Sequence, residues 1–194
     1  MQAKLFKQVI IPTILLAPSA AFAHNGEHAI SGFVSGVLHP LAGLDHLLAL
    51  LAVGIVAARQ SGKARVLIPA AFLTFMLVGA TAGLAGMVVP QVEAGILASV
   101  MILGLMISAS ATLSATISTV LISLFALLHG QAHGAEIPAG ASAFSYVSGF
   151  LLASLLIQSS ALICYAKISK HNATLVNRVA GAGIFVSGLT LASL

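Results

Sequence analysis

Long, nearly uninterrupted apolar runs leave this chain few ways to fold. A run of about 20 apolar residues matches the thickness of a bilayer's hydrocarbon core. In that medium the backbone must satisfy its own hydrogen bonds, so only helices or closed barrels span it. A barrel would alternate polar and apolar residues in short segments. Here the runs are continuous, and only 6% of 194 residues are charged, against about 25% in an ordinary soluble domain. The expected fold is therefore all-α: a polytopic membrane protein with a single transmembrane domain.

Six spans are expected, at about residues 30–58, 65–88, 92–110, 114–134, 141–166 and 173–193. Four of the breaks carry obvious chemistry: "ARQSGKAR", "VVPQVEAG", "HGAEIPAG" and "KISKHNA" hold the charges, prolines and glycines that interrupt helices. The break near "SASATLS" has only Ser and Thr. It is required because residues 92–134 as one helix would measure roughly 60 Å, twice the core. Residues 1–23 read as a cleaved signal peptide: Lys4 and Lys7 precede the short apolar "VIIPTILLAP", and Ala21 and Ala23 stand at the small-residue positions. Residues 24–194 then form the domain.

Charge sets the orientation. With a periplasmic N-terminus, Arg59, Lys63, Arg65, Lys167, Lys170 and Arg178 all fall on the inner side, as the positive-inside rule requires. Glu27, Glu93 and Glu136 fall outside, and the C-terminus is periplasmic too. The basic residues are scattered, with no aromatic platform beside them, which argues against nucleic acid. Cys164 is alone, which excludes a disulfide framework or a multi-cysteine metal site.

The first span is unlike the others. "GVLHPLAGLDHLLALL" holds His39, Asp45 and His46 with Pro40 and Gly43 between them. An ionisable residue at mid-membrane is costly and marks function by default. Pro40 removes a backbone donor, so the helix is expected to kink or break nearby, beside protein or a watery cavity. A second cluster, "HGQAHGAEIP", puts His129 and His133 at i, i+4 on one helix face, with Glu136 following. Opposite running directions put the clusters at similar depth, so they are expected to converge. A third patch, "HNGEH", holds His24, Glu27 and His28 at the outer surface.

Imidazole with carboxylate suits Ni, Co, Zn and Cu(II), and the absence of thiolate argues against Cu(I) or structural zinc. A lone intramembrane histidine is often only a tether between helices; five ionisable groups together are harder to explain so. Asp45 is either a ligand or the partner that orients a histidine. Glu93 reads equally as a pathway residue or a surface acid, and His171 as solvated. The motifs sit in spans one and four of a three-plus-three arrangement, as an inverted repeat would place them.

"HPLAGLDH" at 39–46 resembles the HPxxGxDH signature of the HupE/UreJ family of nickel permease-type proteins, and "HGQAHGAEIP" at 129–138 resembles its second motif. The signal peptide ending before a His, "PQVEAGILAS" and the six spans are also similar. The resemblance implies a permease that delivers nickel for hydrogenase or urease; some members are assigned to cobalt. It implies His39, Asp45, His46, His129, His133 and Glu136 as motif residues.

The expectation is an inner-membrane secondary transporter for Ni²⁺ in metalloenzyme maturation, with Co²⁺ uptake for cobalamin synthesis next. It is not an enzyme and holds no tight cofactor; a downstream metallochaperone is a possible partner. His24 and His28 would capture the ion. No GxxxxGK[ST] loop is present, so transport is passive or gradient-coupled unless a partner supplies ATP. Three readings compete. A haem-binding electron carrier would use His39 with His129. An intramembrane hydrolase lacks the G-x-S-x-G context. A non-transporting metal-delivery subunit would bind without passing the ion.

Overall fold

The computed structural model describes residues 32–87, 89–138, 140–168 and 170–193. The expected signal peptide, His24, Glu27 and His28 lie outside them. The described residues form seven helices: α1 Gly32–Ala42, α2 Leu44–Ala58, α3 Ala64–Leu84, α4 Val92–Ser108, α5 Ala115–Ala135, α6 Ala143–Ala166 and α7 Lys170–Leu191. Four of them, α3, α5, α6 and α7, are long and apolar enough to cross a bilayer; α1 with α2, bent by 80°, makes a fifth candidate, and α4 is a shorter apolar helix.

The bend falls at Gly43, between α1 and α2, while Pro40 lies inside α1. Proline tolerates the last turn of a helix that is about to end, and Gly43 takes the extended backbone (φ −89°, ψ 112°) that redirects the chain. The weakly marked break is real. α4 stops at Ser108, Ser110 adopts a left-handed φ of 54°, and Ser114 caps α5 by accepting a hydrogen bond from the Ile117 amide.

Helices in lipid gain nothing by hiding apolar surface from one another, so they associate where small residues let backbones touch. Here a glycine contact is made twice. Gly36 of α1 faces the Tyr146 carbonyl and the Phe150 amide of α6; Gly130 of α5 faces the Met76 carbonyl and the Ala80 amide of α3. Reciprocally, Gly149 faces Phe33 and Val37, and Gly79 faces Leu127 and Gln131. One constant shift carries α1 onto α5, another carries α6 onto α3, and all four contacts superpose. The first shift also carries His39 onto His133. The α4–α7 contact maps onto itself: Gly104 faces Gly181 and Phe185, and Gly181 faces Gly104 and Ser108. Two three-helix units, α1–α3–α4 and α5–α6–α7, thus repeat each other, as the three-plus-three reading expected.

α2 has no counterpart in the repeat. It packs against every other helix, and Ala49, Ala52, Val53, Gly54, Ala57 and Ala58 on it are buried. The contact order shows α1 running parallel to α6, α3 parallel to α5, and α4 antiparallel to α7. Three linkers gather at one end. There the Arg59 guanidinium donates to the Ala111 carbonyl (2.8 Å), Gln60 to Leu113 and Ser118, Tyr165 to Asn177 (2.7 Å) and Asn177 to Ser110. Arg59, Lys63, Arg65 and Lys167 lie at this end. Glu93 and Glu136 lie at the other, beside the α3–α4 and α5–α6 linkers.

Candidate metal centre

The bend at Gly43 turns the end of α1 and the start of α2 toward the C-terminal turns of α5. His39 comes from α1, Asp45 and His46 from α2, and His129 and His133 from α5. Their rings are in direct contact. His39 and His133 centroids are 4.6 Å apart, His46 and His133 4.1 Å, His46 and His129 5.4 Å, and His39 and His46 5.8 Å. Ligand nitrogens of His39, His46 and His133 all lie within 4.8 Å of one another. The two clusters therefore converge, as their depths predicted.

Asp45 Oδ1 lies 2.7 Å from His46 Nδ1. A carboxylate only accepts, so the imidazole donates through Nδ1 and its Nε2 carries the free lone pair. That is the arrangement by which a carboxylate fixes the tautomer and ring angle of a metal-binding histidine. It favours the orienting role for Asp45 over direct ligation. His129 is held in the same way: its Nδ1 donates to the Phe125 carbonyl at 2.9 Å, freeing Nε2. His46 Nε2, His129 Nε2 and both ring nitrogens of His133 are buried without a hydrogen-bond partner. Buried polar atoms are nearly always paired. One ring nitrogen each from His39, His46 and His133 can therefore meet at a cation, and His129 Nε2 stands buried and unpartnered beside them.

Exposure grades across the site. His129 and His133 are 2% exposed, while the side chains of His39 and Glu136 are 29% and 50% exposed. Glu136, just beyond α5, stands 3.6 Å from His39 Nε2 and 3.9 Å from His133 Nδ1, too far for direct hydrogen bonds and close enough to attract a cation. Burial pushes its carboxyl above the usual range, and the like charge of Glu93 adds to this. Glu93 itself is exposed in the first turn of α4. Tyr146 and Phe150 of α6 floor the site. Tyr146 is 5.7 Å from His39, and Phe150 is 4.1 Å from His133. Neither was singled out from the sequence, since aromatics in an apolar span look like any other packing residue.

Residues 12–191 match the family model described as HupE / UreJ protein. The chain is also 36% identical over 177 residues to Protein HupE of Rhizobium leguminosarum bv. viciae, covering 91% of this chain and 92% of that protein. No solved structure matches.

Proposed function

This chain belongs to the HupE / UreJ family, and on that footing we propose that it is an inner-membrane permease. It takes up a divalent transition-metal ion, Ni²⁺ first and Co²⁺ next, for metalloenzyme maturation. The observation that carries the reading is the meeting of His39, His46 and His133 from three helices, with ligand nitrogens within 4.8 Å and no hydrogen bonds to occupy the buried ones. Three neutral imidazoles without thiolate suit Ni²⁺ and Co²⁺ and hold them reversibly. Glu136 and Glu93 raise cation concentration at the mouth. His24 and His28 would capture the ion ahead of it.

Six crossings account for the packing directions. Alternating spans make α1–α2 parallel to α6, α3 parallel to α5, and α4 antiparallel to α7, which is the contact order described above. They also place the basic linkers on the cytoplasmic side and both termini in the periplasm. The touching rings disfavour haem, because a macrocycle between two of these imidazoles would have to force them apart.

The test is uptake by vesicles that contain only this chain, loaded with a metal-sensing dye and offered Ni, Co, Zn and Cu in competition. Ni²⁺ is expected to enter fastest, and His39→Ala to slow entry by at least about tenfold. Vesicles that bind Ni²⁺ yet never fill would identify a delivery subunit instead.

Acid should oppose uptake. Only neutral imidazole binds metal, so protons compete for the same nitrogens. Glu136, with its raised pKa, protonates earlier than an ordinary glutamate as pH falls and removes charge from the mouth. Both effects have one sign. The initial rate should fall as the pH is lowered into the acid range, by roughly an order of magnitude once protons hold the ligand nitrogens. A flat profile in the same vesicles would count against imidazole ligation.

A further inference from the structure

Tyr146, Phe150, Ser154 and Gln158 recur every fourth residue along α6 and so share one face. The first two touch the histidine cluster. The next two continue away from it, toward the end where the basic linkers gather. Ser154 and Gln158 are 0% exposed. The Ser154 hydroxyl and both ends of the Gln158 carboxamide have no hydrogen-bond partner among the described residues. Gln158 lies about 12 Å beyond Phe150 at the rise of a helix. α2 closes over this stretch: the nearest neighbours of Gly54 are the Gln158 carbonyl, Ala161 and Leu162.

An unsatisfied buried carboxamide destabilises a fold, and leucine or methionine would pack the same volume better. The fold itself therefore does not account for Gln158. We propose that Ser154 and Gln158 form a second, weaker station for the divalent cation, between the imidazole cluster and the basic end. This rests on the permease reading. Neutral oxygens suit the task. The hydroxyl and carboxamide oxygens accept hydrogen bonds from metal-bound water, or replace one such water, without the charge that would trap the ion. Both side chains are fully buried, so the ion reaches them only when the helices packed on α6 part.

The full chain, purified and reconstituted, provides the test, with Ni²⁺ as the probe. Gln158→Leu should bind Ni²⁺ in detergent with unchanged affinity and unfold at the same temperature or higher, because the unsatisfied amide is gone. Its initial uptake rate should nevertheless fall about tenfold. Gln158→His should turn the station into a trap and bind a second equivalent of Ni²⁺ per chain. The proposal is overturned if Gln158→Leu melts earlier while uptake per folded molecule is unchanged, since Gln158 is then a structural tether. It is equally overturned if Gln158→His binds no more Ni²⁺ than the unaltered chain. Failure of the permease reading looks different: the unaltered chain itself does not fill vesicles, whereas the extra equivalent on Gln158→His is still measurable.

Discussion

Replacing His133 with alanine is expected to abolish measurable Ni²⁺ binding, a loss of at least about 100-fold in affinity. His133 is the common neighbour of the cluster. Its ring meets His39 at 4.6 Å and His46 at 4.1 Å, whereas the His39 and His46 rings are 5.8 Å from each other. Removing it deletes one ligand and also the wall that holds the other two. Asp45→Asn is the informative contrast. The amide oxygen still accepts from His46 Nδ1, but the carboxylate charge that strengthens the bond and fixes the tautomer is gone. About 10- to 100-fold weaker binding is expected there. Calorimetric titration of purified protein with Ni²⁺ measures both, with thermal unfolding as the check on folding. Wild-type affinity in His133→Ala would refute the site.

Gly130→Val is expected to remove the folded protein from the membrane altogether. A Cβ at residue 130 collides with the Met76 carbonyl and sits 2.9 Å from the Ala80 amide. Neither is a flexible side chain that can turn aside, so α3 and α5 must separate. The contact recurs at Gly79, Gly83 and Gly134 along the same pair, and one wedge loosens all of it. Overpacking a well-fitted interface costs about 1–3 kcal/mol, and more where backbone blocks relief, a large share of any protein's net stability. Gly183→Ala is the control, because nothing lies within 4 Å of its added carbon. The amount of full-length protein in membranes and its melting temperature in detergent distinguish the two. Equal levels would mean that α3 and α5 do not approach so closely.

Much of this was legible in the residues because lipid leaves a chain few options. The helices sit where the apolar runs do, and Ser110 and Ser114 end and begin helices at the break that only length demanded. His39 and His46 could be paired with His129 and His133 because running direction fixes depth. The 80° turn could not be read. Pro40 advertised a disruption, but Gly43 makes it, and the angle depends on α1 finding α6 through Gly36 and Gly149. Nor could pattern say whether Asp45 binds or orients, since that depends on a 2.7 Å contact. Gln158 was visible as a polar residue in "LLIQSS", but only burial shows that it lacks a partner.

The three donors belong to three different bodies. His39 rides on one repeat, His133 on the other, and His46 on the unpaired helix they enclose. No rotation of one repeat against the other can leave that triangle unchanged. For a cation held by these three donors, strength of grip and tilt of the halves would be one mechanical variable, with α2 as its spindle.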